Sequence, residues 1–103
     1  MIGPKPSSIE DAVSAIRAAF PETELQLWAR QTEAEACAQA HFGLGAWIRN
    51  NWVYGSGSPL VTKIREAAVL IHDDDISWVI VRGVWRLLNG VPCLSIEELL
   101  DRR

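Results

Sequence analysis

The residues of this chain that could do chemistry gather in two places. Residues 41–52 read HFGLGAWIRNNW, and residues 72–75 read HDDD. The first run sets His41, Arg49, Asn50 and Asn51 beside Trp47 and Trp52; the second sets His72 before Asp73, Asp74 and Asp75. Such residues can hold a metal, move protons, or recognise an anion or a partner.

Metal binding is the first possibility. Cys37 and His41 stand four apart, the spacing of one helix face, and His72, Cys93 and the aspartates are further candidate ligands. Zinc takes about four ligands, or three and a water, and no CxxC or HxxxH pair supplies the second half. The aspartate run lacks the spaced ligands, glycine and closing glutamate of a calcium loop. The chain is therefore expected to hold no metal and no cofactor. Cys37 reads as a small core residue and His41 as a hydrogen-bonded, half-buried one. The aspartates read as caps and dipole partners of the helix that follows, worth about 0.3–1 kcal/mol each through the dipole.

Catalysis is less well supplied. Ser56 and Ser58 sit in GSGSP (55–59) with no nucleophile elbow, and no Gly-Lys-Ser/Thr follows to make a phosphate loop. A nuclease- or phosphoesterase-like centre can be drawn from His41, Arg49 and Asp74. On a helix, however, His41 and Arg49 would lie about 12 Å apart along the axis. No catalytic residue is expected, and the enzyme stands as the alternative.

Arg49 is the costly residue. Its guanidinium stays charged at every relevant pH, so burial demands a carboxylate or several carbonyls. A bidentate ion pair with Asp74 or Asp75 is expected, joining the two runs, and Arg49→Ala should then cost about 3 kcal/mol or more. An anion or partner contact at the surface is the other reading of Arg49. Asn50 or Asn51 is expected to satisfy carbonyls near the helix end.

These side chains need elements to place them. Ser7–Glu10 forms a capping box opening a helix that Pro21 stops. ETELQLWARQ reads as a short second helix or a run-out after the proline. Thr32–Glu35 is a second box, opening a long helix over 33–53 that contains the first run. Gly43 and Gly45 each weaken it by about 1 kcal/mol, or mark a close approach of another backbone. A helix with a β-branched bias follows over 60–71, with a short strand at AVLI (68–71) as the lesser reading. Another helix follows over 76–90, closed by Asn89-Gly90, and a third box at Ser95–Glu98 opens a last short helix. The fold expected is all-α, a compact bundle of about five helices, with a loose lead-in over 1–6 and a single domain over 7–103.

Composition bounds the function. The chain has 103 residues, 22% charged and 49% apolar, a globular balance for one domain. Its net charge of −3 opposes general nucleic-acid binding. No apolar run approaches a membrane span, and no signal peptide is visible. With two scattered cysteines, the expectation is a cytoplasmic protein with reduced thiols. Five tryptophans, at 28, 47, 52, 78 and 85, exceed what a core of this size readily hides. Trp52, Trp78 and Trp85, with Arg49 and Asn50, are thus the candidate binding residues, and a protein partner or a homodimer is expected.

HFGLGAWIRNNW, followed by DDDIS and WRLLNG, also resembles a family of small bacterial domains of unknown function. The core of that family reads LHxGLGxWIRNNWGLW, then PDDMS, then a helix ending in LN. The likeness covers about residues 41–90. Arg49, Asn50, Asn51 and Trp52 match, as do Asp74, Asp75 and Ser77; the chain departs at Val53–Gly55 and at Asp73. The resemblance implies a shared fold pairing the two runs and implies no activity. The function expected is a small protein-binding domain, of regulatory, immunity or antitoxin type, without catalysis. A ligand-binding module with an aromatic pocket is a further alternative.

Overall fold

The structure, a computed structural model, describes residues 5–40, 43–54, 58–92 and 95–100. Among these it has seven α-helices and one π-helical turn, and no strand. Its radius of gyration is 12.4 Å, close to the roughly 13 Å of a folded chain of about 100 residues.

Helix α1 spans Ile9–Ala19. Its N-cap is Ser8 rather than Ser7: Ser8 Oγ accepts the Asp11 N–H at 3.0 Å. Tertiary contact decides between the adjacent serines. The Ser7 carbonyl accepts Lys63 Nζ at 2.8 Å, while the Ser8 carbonyl accepts the Ala12 N–H and enters the helix. Asp11 reaches back to take the Ser7 hydroxyl at 2.7 Å and the Ser7 N–H at 3.2 Å. The helix stops at Phe20, which is extended (φ −121°, ψ 146°), the geometry imposed on a residue before proline. Of the lead-in over 1–6, residues 1–4 lie outside the described residues; Pro6 is buried, and its carbonyl accepts the Leu60 N–H at 3.1 Å.

The sequence after Pro21 forms a separate helix, α2 (Glu22–Ala29). The second capping box opens α3 (Glu33–Ala40), with Glu35 N–H on Thr32 Oγ1 and Thr32 N–H on Glu35 Oε1, both at 3.2 Å.

The single helix expected over 33–53 is corrected. After α3 the chain turns at Gly43 (φ −97°, ψ −89°), then forms α4 (Leu44–Ile48), which runs into the π turn Arg49–Val53. Gly45 lies so close to the end of α3 that a Cβ there would stand 2.8 Å from the Ala40 carbonyl oxygen. The two glycines are thus a break and a close approach. That break, with the independent α2, makes seven helices where about five were expected.

Two further boundaries move. Helix α5 (Pro59–Ala67) is capped by Ser58, whose Oγ accepts the Val61 N–H at 3.1 Å. It ends at Ala67, four residues short of expectation, because Ala68 leaves helical geometry (φ −145°, ψ 87°). Helix α6 (Asp73–Leu88) starts three residues early, so Asp73, Asp74 and Asp75 are its first turn instead of its cap. They keep their favourable place at the positive helix end. The Asn89-Gly90 stop is as expected: Gly90 takes φ +68°, and Val91 N–H and Gly90 N–H close on the carbonyls of Arg86 and Leu87. This is the hydrogen-bond pattern of a Schellman ending. The third box opens α7 (Ile96–Leu100), with Glu98 N–H on Ser95 Oγ at 3.2 Å.

Helix α6 is the axis of the molecule. It touches α1, α3, α4, the π turn, α5 and α7, and buries Ile76, Val79, Ile80, Val81 and Val84. An apolar surface over most of its circumference suits a helix surrounded by others. Gly83 admits α1: a Cβ there would be 2.8 Å from Ile9 Cδ1.

Candidate functional site

The two runs do meet. The π turn carries Arg49 inward beside the first turns of α6, and its side chain is only 11% exposed. One guanidinium nitrogen donates to Ser77 Oγ at 3.0 Å, and that hydroxyl donates to the Asp74 carbonyl at 2.8 Å. Arg49 Nε stands 3.5 Å from Asp74 Oδ1, but the Asp74 side chain is 65% exposed. The expected bidentate grip on Asp74 is therefore a single long contact, since the carboxylate leans into solvent. Such a pair contributes about 0–1 kcal/mol, whereas a hydrogen bond from a charged group contributes about 1.5–3 kcal/mol. Ser77 is thus the stronger of these two partners. Among the residues reasoned about individually in the sequence it was passed over; only the family-like Asp-Asp-x-Ser element marked it.

The π turn explains the neighbouring asparagine. Widening the helix disturbs the usual bonding of its carbonyls, and Asn51 Nδ2 donates to the Trp47 carbonyl at 2.8 Å. Asn50 is exposed.

A second charged cluster was not foreseen. Glu33, at the start of α3, receives Arg86 Nε on Oε2 at 2.7 Å, an Arg86 terminal nitrogen on Oε1 at 3.2 Å, and Arg82 Nε at 3.0 Å. The Arg86 contact is bidentate. Arg82 also donates to the carbonyls of Glu98 and Leu99 in α7, and its guanidinium lies 5.5 Å from the Trp78 ring centroid. Burial alone would raise the Glu33 pKa; the hydrogen bonds from Arg86 and Arg82, and their charges, outweigh it and hold it below the ordinary value. Cys37 lies nearby, buried and free. Burial, followed by the charge of Glu33, pushes its thiol up to about 11 against the smaller pull of the two arginines, so it stays protonated and unreactive at neutral pH.

The tryptophans are largely absorbed by the fold. Trp52 is fully buried and offers no surface to a partner. Its ring meets Trp47 edge-on at 5.1 Å, and Trp47 meets Phe20 at 5.4 Å. Among the described residues the Trp52 indole N–H has no hydrogen-bond partner, a cost of about 1–3 kcal/mol carried by this packing. Trp28 Nε1 donates to the Ala36 carbonyl at 2.8 Å and Trp85 Nε1 to the Gln31 carbonyl at 3.1 Å. Trp85 is therefore half-buried between α6 and the α2–α3 turn.

The exposed apolar surface lies elsewhere. Val69 is 84% exposed and Leu70 92% exposed, in the turn between α5 and α6. They edge a groove of about 520 Å³ lined also by Ala68, Ile71, Asp75, Trp78, Val79 and Leu100. Of the five candidate binding residues only Trp78 lies in it. Sequence reasoning placed Val69 and Leu70 inside a helix over 60–71, with a short strand over 68–71 as the lesser reading; they are in neither, and the β-branched bias was the signal that the helix gives out there.

His41 and Cys93 lie outside the described residues, as does Ser56. The convergence of His41 with Arg49 and Asp74 that a hydrolase would need is thus not part of the described site. Among the described residues no three His, Cys, Asp or Glu side chains cluster as a metal would require. No described helix is long and apolar enough to cross a membrane.

A family model described as a domain of unknown function, DUF6794, matches residues 5–88. This span takes in α1 through α6 and stops short of α7. No curated protein and no solved structure matches the chain.

Proposed function

The chain belongs to the DUF6794 family, and from that premise we propose that it is a protein-binding domain without catalytic activity. The observation that carries this reading is the turn after α5. Val69 and Leu70 stand 84% and 92% exposed beside a groove floored by Trp78. Single exposed apolar residues are common, but two in sequence that also line an apolar groove make a contiguous patch, which supports reading it as a contact surface. The charged clusters support the same reading from the other side. Arg49 and Glu33 are turned inward and spent on the fold, not presented to a substrate.

We infer the finer role from size and charge alone. A small acidic binding domain suits a regulatory, immunity or antitoxin-like task in a bacterial cytoplasm, and the free Cys37 thiol is in keeping with a reducing compartment. Its acidity favours a protein over nucleic acid as partner. A small apolar ligand in the same groove is the second reading, because the groove volume of about 520 Å³ falls in the range of about 300–1,000 Å³ typical of ligand sites.

A photo-crosslinking side chain placed at position 70 tests the proposal, with one at Leu27, also exposed, as control. In cells of the source the expected result is a discrete protein adduct from position 70 alone, lost when Val69→Asp is added. Equal labelling from both positions, or none, would overturn it. A co-purifying small molecule in native mass spectrometry, without an adduct, would establish the second reading instead.

A further inference from the structure

We propose that this groove receives a short amphipathic helix from a basic partner, an inference that rests on reading the groove as a protein-binding site. Charge is the first argument. Residues 65–79 and 95–100, the segments from which the groove lining is drawn, carry Glu66, Asp73, Asp74, Asp75, Glu97 and Glu98 against a single cation of their own, Arg65, and Asp75 is in the lining itself. Arg65 is already paired with Asp73 at 3.3 Å. Two cations reach these segments from outside: Arg82, bonded to Glu33 and the α7 carbonyls, sets its guanidinium 5.5 Å from the Trp78 ring centroid, and Arg49 stands 3.5 Å from Asp74; six carboxylates still outnumber the three arginines. The chain as a whole has ten Lys and Arg against thirteen Asp and Glu, so its acidity is concentrated around this groove and the remainder is net positive.

Shape is the second argument. The groove is lined from two helices and the turn between α5 and α6: Asp75, Trp78 and Val79 share one face of α6, Leu100 comes from α7, and Ala68 to Ile71 from the turn. The described residues include no strand edge to which an extended peptide could add. Side chains spaced i, i+3, i+4 on an incoming helix fit such a groove, with Leu70 and Trp78 as the apolar contacts and carboxylates around them for lysine or arginine. A second copy of this chain suits it poorly. A two-fold contact centred on the turn would bring the same aspartate-rich helix start of both copies together, and like charges across an interface are repulsive.

The test uses the full chain and two labelled peptides in fluorescence anisotropy. Both carry leucines at i, i+3, i+4 and i+7; one has lysine at the remaining positions and the other glutamate. The lysine peptide is expected to bind at least about tenfold more tightly, with the preference shrinking in salt. Leu70→Ser should abolish binding of both peptides, and the paired charge reversal Glu66→Lys with Glu97→Lys, at exposed positions, should remove the preference for lysine. Equal binding of the two peptides would overturn the inference while leaving a protein-binding groove in place. Failure of both to bind would overturn the groove reading as well. A dimer in sedimentation that Leu70→Ser dissolves would give the groove to a second copy and overturn the basic partner.

Discussion

Two arginine sites flank α6, and they settle the same problem in opposite ways. At Glu33 one carboxylate, 27% exposed, is held by two guanidiniums that are 12% and 17% exposed. Charge is answered by charge, and the bidentate bonds fix the start of α3 to α6. At Arg49 a guanidinium only 11% exposed faces a carboxylate that is 65% exposed. There a neutral hydroxyl, Ser77, makes the short contact. The difference teaches that an ion pair can join a buried arginine to an exposed carboxylate. The depth of the partner, more than its proximity, decides what the pair contributes.

Breaking the deeper cluster should have the largest effect. Glu33→Ala leaves two poorly hydrated guanidiniums without their carboxylate and is expected to cost about 3 kcal/mol or more, read as a lower midpoint in urea. The same cluster sets an acid limit. The Glu33 pKa is depressed below its ordinary value of 4.5, so its contribution is complete above that pH and is lost as the pH falls through the lower, folded value. Glu33→Gln should flatten the decline of stability below about pH 4.5; an unchanged acid profile would mean that the cluster is not what acid breaks.

Arg49→Ala comes next, at about 2 kcal/mol, for the lost bond to Ser77 and the lost packing. This is less than the sequence alone suggested, because Asp74 hydrates when its partner goes. A loss equal to that of Glu33→Ala would erase the contrast between the sites. Gly45→Ala should cost about 1 kcal/mol net: crowding against the Ala40 carbonyl is partly offset by better helix propensity. Asp74→Asn should be smallest, within about 1 kcal/mol. A double-mutant cycle would sharpen the comparison, with Arg86 and Glu33 strongly coupled and Arg49 and Asp74 weakly so.

Legibility followed range along the chain. The boxes at Thr32–Glu35 and Ser95–Glu98 and the stop at Asn89-Gly90 were readable because each closes its bonds within a few residues. The box at Ser7–Glu10 was misread by one residue because Lys63, far along the chain, takes the Ser7 carbonyl. Arg49 was recognisable as an expensive residue, but a serine among its partners, Ser77, carries no charge to announce itself. Glu33 was seen only as part of a helix start. Nothing local joins it to Arg82 and Arg86, which stand 49 and 53 residues away. Of the candidate binding residues Trp78 lies in the groove, whereas Val69 and Leu70 were hidden in an apparent helix.

By itself the sequence determined the helical class, the helix starts at Thr32–Glu35 and Ser95–Glu98, the central apolar helix and the expectation that Arg49 meets the aspartate run. Periodicity and capping are local properties, satisfied by bonds between near neighbours. Only the tertiary structure decided where helices break, how deep each charge sits and which apolar side chains stay outside. Those depend on whether another segment arrives to cover them: α3 and α7 arrive at Arg82, the π turn arrives at Ser77, and in the described structure Val69 and Leu70 are left bare.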